Sequence, residues 1–415
     1  MQVIRTPLQR ALRSSLGRAT SAFGLTALAL ANSGATVFAL EPVNAASTAV
    51  ALDAAVTEGR PDQVYVKNAR TGEVKVVAGT ITADGIDKVV VSRGGKESKL
   101  DAALVEEVIW GESTPAFVEG FTYFDRGDWE NASAKFLVAA GEGEREVVQA
   151  AARLYAARAL LEWGAADAGH FAEAATQFDK YLSDHSSQRE VPFARSLQAR
   201  TAWLKGDAAT AGQLYRALFE EGTSASPTPG YDLGLCLKAG LQAARAFVDS
   251  GDTLAAREIY GVLANRARTA AAQAEEGSTE RLQFAQLETE AILGPGFVDV
   301  ASSQYDQAIT FFSGQKTTAQ TSKNATALYG ATYGLGLALL GKGETRKAQL
   351  QFASVSALDY TDQDRSAAAK LGLARCYIAL GDSDGIATSR ALLKEIASQF
   401  GTTPSARAAR ELLAQ

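Results

Sequence analysis

Apolar and polar positions follow two different periods along this chain. Between residues 62 and 112, apolar residues alternate with polar ones, and turn signals such as Thr71-Gly72 and Gly94-Gly95 interrupt them, which predicts short β-strands. From residue 114 onward, apolar residues recur three or four positions apart, which predicts amphipathic helices. We therefore expect a small β unit followed by a long helical region.

The β unit is predicted to span residues 62–112 and to contain five strands. Short strands packed so densely along the chain favour a small curled sheet of the SH3-like kind. A domain of this size is marginally stable alone, so we expect it to dock on the helical part or on a partner. It can serve as an adaptor, or as a module that caps or spaces the helices. Its apolar positions are Val64, Val66, Val74, Val76, Ile81, Ile86, Val89, Val91, Leu100, Val105, Val108 and Ile109.

The helical region repeats one short pattern. In its first copy, a helix containing Gly120 ends at Gly127-Asp128, and a second helix follows with Ala132 and, four residues later, Phe136. Related copies recur at intervals of 37–52 residues. Their anchor alanines are Ala132, Ala174, Ala211, Ala256, Ala308, Ala348 and Ala391.

Small and aromatic residues at this spacing have a physical role. Ala or Gly at a crossing point lets two antiparallel helices approach closely, and the aromatic side chain one helical turn later fills the space beyond the contact. A single hairpin cannot bury its apolar face, so successive hairpins stack into a solenoid. The sequence thus predicts a mostly α protein, an α-solenoid of about seven helical hairpins over residues 113–415, preceded by the β unit.

This pattern resembles the tetratricopeptide repeat (TPR) over roughly residues 114–415. The closing stretch, Leu371 to Tyr377 followed by Gly381-Asp382 and Phe400, is similar to repeats of bacterial envelope assembly proteins, among them the Tol–Pal coordinator and outer-membrane assembly lipoproteins. The repeat interval exceeds the ~34 residues of the standard repeat, which predicts an irregular superhelix. The resemblance implies a concave groove, lined by the first helix of each hairpin, that binds an extended peptide of a protein partner.

Candidate partner-binding residues follow from this implied groove. The position after the crossing Ala faces the groove, and it is an arginine in four copies. Guanidinium groups match carboxylates, so this row can clamp an acidic peptide, while aromatic residues add apolar pockets. The alternative is that the arginines pair with Asp or Glu of neighbouring helices. The candidates are Arg158, Arg200, Arg245, Arg375, Phe117, Phe121, Phe124 and Trp203.

Two stretches interrupt the helical pattern. Residues 222–230 contain Pro227 and Pro229 and cannot be helical throughout. Gly294-Pro295-Gly296 is predicted to break another helix. Either stretch can act as a hinge between two parts of the array.

The N-terminus is predicted to be a secretory signal peptide spanning residues 1–45. No Asp or Glu precedes Glu41, four arginines precede an apolar stretch, and Val43-Asn44-Ala45 fits a cleavage site. Cleavage after Ala45 would leave residues 46–61 as a linker and place the protein in the periplasm or outside the cell. The alternatives are an uncleaved membrane anchor and an organelle transit peptide. The four arginines are Arg5, Arg10, Arg13 and Arg18.

Composition and charge argue against several classes of function. About 80 of the 415 residues are Ala, which suits tight helix packing. A pI near 5.3, with 41 Lys+Arg against 47 Asp+Glu, gives no basic excess for nucleic acid. Two Cys and two His are too few for a zinc or iron–sulfur site. The sequence contains no G-x-S-x-G elbow, no Walker loop and no H-E-x-x-H motif. We expect no catalytic, cofactor or metal site, and no membrane span after signal cleavage.

The first functional hypothesis is an exported, non-enzymatic TPR scaffold that binds another protein of the cell envelope. The second is a permanent structural or assembly subunit of an envelope complex, without a free peptide groove. A third, an enzyme with dispersed carboxylates, would need a pocket of close Asp/Glu pairs with raised pKa values. A groove filled by the protein's own linker or by residues 222–230 favours the second hypothesis over the first.

Overall fold

The computed structural model describes residues 60–68, 72–111, 113–142, 145–224, 226–359, 362–381 and 383–415. The predicted signal peptide, its cleavage site and nearly all of the predicted linker lie outside the described residues.

Five antiparallel strands form the β unit, in the spatial order β4-β3-β2-β1-β5. The long strand β2 pairs with β1 along its first half and with β3 along its second half, with a register shift between Ile81 and Ala83. A 3-10 turn at Ala102–Leu104 leads into β5, which returns to pair with β1. This curled meander agrees with the predicted SH3-like unit. The strands are Asp62–Lys67 (β1), Val74–Asp84 (β2), Lys88–Arg93 (β3), Lys96–Asp101 (β4) and Val105–Ile109 (β5).

Fifteen helices follow in the described part of the chain, as seven antiparallel hairpins and a final helix. The odd-numbered helices α1 to α13 are the first helices of the hairpins, and the even-numbered ones are the second. The helices are Pro115–Asp125 (α1), Trp129–Glu142 (α2), Glu146–Ala166 (α3), His170–Asp184 (α4), Val191–Leu204 (α5), Ala208–Thr223 (α6), Leu233–Ser250 (α7), Thr253–Gln273 (α8), Thr279–Ala301 (α9), Tyr305–Ser322 (α10), Ala325–Gly341 (α11), Thr345–Leu358 (α12), Gln363–Leu380 (α13), Ser383–Gln399 (α14) and Pro404–Leu413 (α15).

The Gly-Asp pairs of the sequence form the turns inside the hairpins. Gly206 and Gly251 have positive φ angles, 96° and 83°, which few other residues adopt. Asp207 and Asp252 then accept hydrogen bonds from backbone N–H groups in the first turn of the following helix. Each pair therefore ends one helix and begins the next.

Glycines at the helix crossings lie directly against aromatic rings, as the repeat pattern predicts. A Cβ atom added to Gly120 would lie 2.6 Å from the Phe136 ring, and one added to Gly334 would lie 2.2 Å from the Phe312 ring. Six of the seven predicted anchor alanines are fully buried. The solenoid core is therefore built from small residues on one helix that receive rings from the next.

The seventh anchor was predicted wrongly. Ala391 is exposed, and the buried positions of α14 are Gly385, Ser389, Leu393 and Ile396, of which Ser389 and Leu393 lie four residues apart. The spacing of the repeat is kept there, but a serine replaces the alanine and a leucine replaces the ring. The sequence pattern of Ala followed by an aromatic residue is therefore absent from this helix.

The predicted helix break at Gly294-Pro295-Gly296 was also wrong, because α9 continues through Pro295. Cβ atoms added to Gly294 and Gly296 would lie 2.2 Å from the Tyr260 ring and 2.5 Å from the Phe311 ring. These contacts on both sides hold the backbone in a helical path despite the N–H that proline lacks. By contrast, the described residues 224 and 226–232 lie between α6 and α7 and outside any helix, as expected for the stretch with two prolines.

Candidate functional site

The first helices of successive hairpins contact one another along the concave side of the solenoid. On this side, Arg200 of α5 binds the Asp364 carboxylate of α13 with its Nη1 and Nη2 atoms, at 3.1 and 2.9 Å. Its Nε donates to the carbonyl oxygen of Thr402, between α14 and α15, at 2.7 Å. The third hairpin is thereby joined to the seventh and to the loop that follows it.

Arg245 of α7 lies in an ionic network at the start of α13. Its Nη2 atom is 2.9 Å from a carboxylate oxygen of Asp362 and 3.3 Å from one of Glu290 on α9. The neighbouring Arg365 is only 4% exposed; its Nε donates to Asp359 at 2.5 Å, and its Nη1 contacts Glu290. Two guanidinium groups and three carboxylates thus hold the fourth, fifth and seventh hairpins together.

The electrostatic interactions in this network favour the charged forms of its carboxyl and guanidinium groups. Burial by itself would raise the pKa of Asp362, but Arg245 and Arg365 hold the pKa of this carboxyl well below its usual range. Burial by itself would lower the pKa of Arg245, but Asp362 and Glu290 raise it above its usual value. The network is therefore a set of mutually stabilised ions within the described fold.

Arg158 of α3 lies among aromatic rings. Its guanidinium carbon is 4.8 Å from the ring centre of Tyr155, 5.5 Å from that of Phe124 and 5.6 Å from that of Phe193. Cations are attracted to ring faces at such distances. Arg158 therefore contacts helices α1 and α5 as well as its own helix.

The three predicted phenylalanines of α1 belong to one aromatic cluster. Phe117 is buried, and its ring contacts those of Phe121 and Phe136 at 5.0 and 5.8 Å. Phe121 and Phe124 are half-buried, and both contact Tyr155. The cluster packs α1 against α2 and α3, and binding of a partner by its exposed edges stays a prediction.

Trp203 and Arg375 complete the predicted set. Trp203 is buried, and its Nε1 donates to the Asp249 carboxylate at 3.0 Å. Burial raises the pKa of Asp249, while the Trp203 hydrogen bond and the charges of Arg407 and Arg375 partly offset that rise. Arg375 is exposed, and no carboxylate lies within salt-bridge distance of it among the described residues. Of the four predicted arginines, Arg375 alone therefore has a guanidinium available in the described part of the fold.

Further contacts bring the C-terminal end against the second hairpin. Arg410 of α15 donates to the carbonyl oxygen of Ala165 at 2.7 Å. A Cβ atom added to Gly401 would lie 2.6 Å from the Cβ atom of Ala165. The chain from α13 to α15 therefore lies across the concave side from the second hairpin to the fourth.

The β unit contacts the helices through a buried aspartate. Asp62 accepts hydrogen bonds from the backbone N–H groups of Ile81 and Gly111, at 2.7 and 2.8 Å. Arg145, which precedes α3, binds the same carboxylate with its Nη1 at 3.0 Å. Asp62 thus closes the β unit and fixes it to the junction between the first and second hairpins.

Three further junctions hold the β unit. At the second, Arg189 binds the Asp84 carboxylate at 2.9 Å, between α4 and α5. At the third, between α6 and α7, a Cβ atom added to Gly230 would lie 1.7 Å from the carbonyl oxygen of Ile86. At the fourth, Lys67 pairs with Glu280 in the first turn of α9 at 3.0 Å. The β unit spans four successive hairpin junctions and acts as a brace along this edge of the solenoid.

The sequence did not single out the carboxylates that bind the arginine row. Asp359, Asp362 and Asp364 are three acids within six residues, immediately before and in the first turn of a helix, and Glu290 is one of two buried acids on α9. The first group is a visible charge cluster, but it is also typical of a helix N-terminus. Only the fold shows that these acids lie opposite arginines.

The described residues contain no group of three His, Cys, Asp or Glu side chains arranged to hold a metal ion. In the same residues, no helix combines the length and the apolar composition that crossing a bilayer requires. Cys236 and Cys376 are buried free thiols, and burial raises the pKa of Cys236 to about 12.

Comparison with solved structures finds several chains of similar fold. A tetratricopeptide repeat protein from Parabacteroides merdae is similar in structure, with a TM-score of 0.45 and 13% sequence identity, over 72% of this chain and 96% of that chain. No protein-family model matches the chain, and no curated protein matches it. The stacked hairpins described above define the fold as a TPR-like α-solenoid with an N-terminal β unit.

Proposed function

We propose that this protein is a non-enzymatic scaffold for protein–protein interaction, and that it works as a permanent structural or assembly subunit of an envelope complex. Stacked helical hairpins present side chains at regular intervals on a rigid body, which suits the binding of other proteins. The brace formed by the β unit makes that body stiffer. The likeness of the closing repeat to envelope assembly proteins is consistent with this role.

One observation carries the choice between the two scaffold hypotheses. The arginines predicted to clamp a partner peptide, Arg200 and Arg245, bind Asp364 and Asp362 of the same chain. The C-terminal helices occupy the place that an extended peptide would take. A groove filled in this way supports the assembly subunit, with partners docking on other surfaces.

A peptide that copies residues 357–366 tests this choice directly, because it contains the acids that occupy the arginines. We expect the labelled peptide to show no binding to the full chain up to about 1 mM in fluorescence anisotropy. The same peptide with its three Asp changed to Asn is the matched control. Binding of the acidic peptide at about 1–10 µM, with loss in the Asn version, would show an exchangeable groove and support the free-peptide scaffold.

Export is the second part of the proposal, and it is supported by the order of charged, apolar and small residues before Ala45. Mass spectrometry of the protein isolated from fractionated native cells measures its N-terminus. We expect the envelope or secreted fraction to contain the protein, with Ala46 as its first residue. An N-terminus at Met1 in a cytoplasmic fraction would contradict export and leave the scaffold role untouched.

A further inference from the structure

A narrow groove lies on the side of the solenoid away from the concave surface, between the second helices of the third and fourth hairpins. It encloses about 230 Å³ between α6 and α8. Small-molecule sites are usually larger, at roughly 300–1,000 Å³, so the volume suits one or two side chains of a protein. Its lining residues are Arg216, Phe219, Glu220, Thr223, Ser224, Glu258, Ile259, Val262 and Arg266.

The bottom of this α6–α8 groove is apolar. Phe219 and Ile259 are buried at 1% and 2% exposure, while Val262 is 40% exposed and faces the open side. An exposed valine next to two buried apolar side chains offers a place where another apolar side chain can lose contact with water. The groove is formed only by described residues of α6, α8 and the position after α6.

Charges are distributed unevenly along the groove. Arg216 is shared by two carboxylates, Glu220 at 2.6 Å and Glu258 at 3.5 Å, so this end carries an excess of negative charge. Arg266 is exposed at the other end, and no carboxylate pairs with it in the part of the chain that the structure describes. The groove therefore has an acidic end, an apolar middle and a basic end.

These three features lie in one row on α8. Glu258, Val262 and Arg266 are spaced by four residues, so they occupy one face of the helix and span about 12 Å at a rise of about 1.5 Å per residue. In an extended chain, alternate side chains point the same way and lie about 6.8 Å apart. Positions i, i+2 and i+4 of an extended peptide therefore span nearly the same length as the row.

We propose that the α6–α8 groove docks an extended segment of a partner protein that carries a basic, an apolar and an acidic residue at alternate positions. The basic side chain lies near Glu220 and Glu258, the apolar one contacts Val262, and the acidic one pairs with Arg266. This inference rests on the proposed scaffold function and names the surface through which it acts. It fits the observation that the concave side is filled by the protein's own helices.

Selection from a random peptide library displayed in many copies on phage tests the groove, because multivalent display makes weak contacts detectable. The library is selected on the full chain and on three variants, Val262→Glu, Arg266→Glu and Leu254→Glu. Leu254 is also on α8 and is 80% exposed, but it does not line the groove, so it is the matched control. Thermal unfolding of each variant confirms that it is folded.

We expect the full chain and Leu254→Glu to enrich the same alternating basic, apolar and acidic sequences. Val262→Glu should reduce their enrichment at least about tenfold, and Arg266→Glu should replace the acidic position by a basic one. Enriched sequences without this pattern, or equal enrichment on Val262→Glu, would overturn the groove as the docking site. Peptides that bind but ignore the groove variants would leave the proposed scaffold function standing and remove only this surface.

Discussion

Replacing Arg365 by Leu should lower the free energy of unfolding by about 3–5 kcal/mol, the cost of removing one partner from a buried ion pair. Arg365 is 4% exposed and contacts Asp359 and Glu290, which are 3% and 7% exposed. Without the guanidinium, these carboxylates remain buried with less compensating charge. Urea unfolding followed by circular dichroism measures the loss of unfolding free energy. Small-angle X-ray scattering should show a larger radius of gyration, because α13 loses its ion pair with α9.

The matched control for this variant is Arg346→Leu. Arg346 is exposed on α12 and has no salt-bridge partner among the described residues, so its removal should change the free energy of unfolding by less than about 0.5 kcal/mol. If Arg365→Leu were as stable as this control, the network would not hold the solenoid closed.

Replacing Gly334 by Ala should destabilise the fold by about 1–3 kcal/mol, the usual cost of overpacking a core. The added methyl carbon would lie 2.2 Å from the end of the Phe312 ring, and Phe312 is fully buried and also lies against Gly296. The helices α10 and α11 would have to separate. Thermal and urea unfolding measure the effect.

Gly314→Ala is the control for this second variant. Gly314 is also inside a helix, α10, but a Cβ atom added there meets nothing within 4 Å. Alanine favours a helix over glycine by about 0.5–1 kcal/mol, so this variant should be more stable than the unmodified chain. Equal effects of the two substitutions would show that close approach at Gly334 does not determine the packing of these helices.

Local features of the fold could be predicted from the sequence because they depend on nearby residues. The alternation of Val64 and Val66 and the turn at Gly94-Gly95 suffice to predict strands, and the spacing of Ala132 and Phe136 suffices to predict a hairpin. The two local errors have physical causes. Pro295 lies within a helix because Tyr260 and Phe311 pack on both sides of it. Ser389 can occupy a buried position because its hydroxyl donates to the backbone carbonyl oxygen of Ile386 at 2.8 Å.

The candidate site could be predicted only in part. The arginine row was located from the repeat register, and the structure places Arg200 and Arg245 where they contact other parts of the chain. Their partners could not be identified, since Asp364 and Asp362 lie 164 and 117 residues further along. Pairing of the arginines with Asp or Glu of neighbouring helices was the alternative prediction. The structure shows such pairs for Arg200 and Arg245.

The sequence by itself determined that the protein is a stack of small-residue helical hairpins behind a five-stranded unit, because a hairpin is specified by side chains within about 40 residues of one another. The tertiary structure decided that the stack curls until its seventh hairpin contacts its second, third and fourth, and that the β unit braces four junctions. Curvature is the sum of small rotations at each interface between hairpins. The residues of a single repeat do not determine the total curvature. The surfaces that remain open to a partner can therefore be identified only from the complete fold.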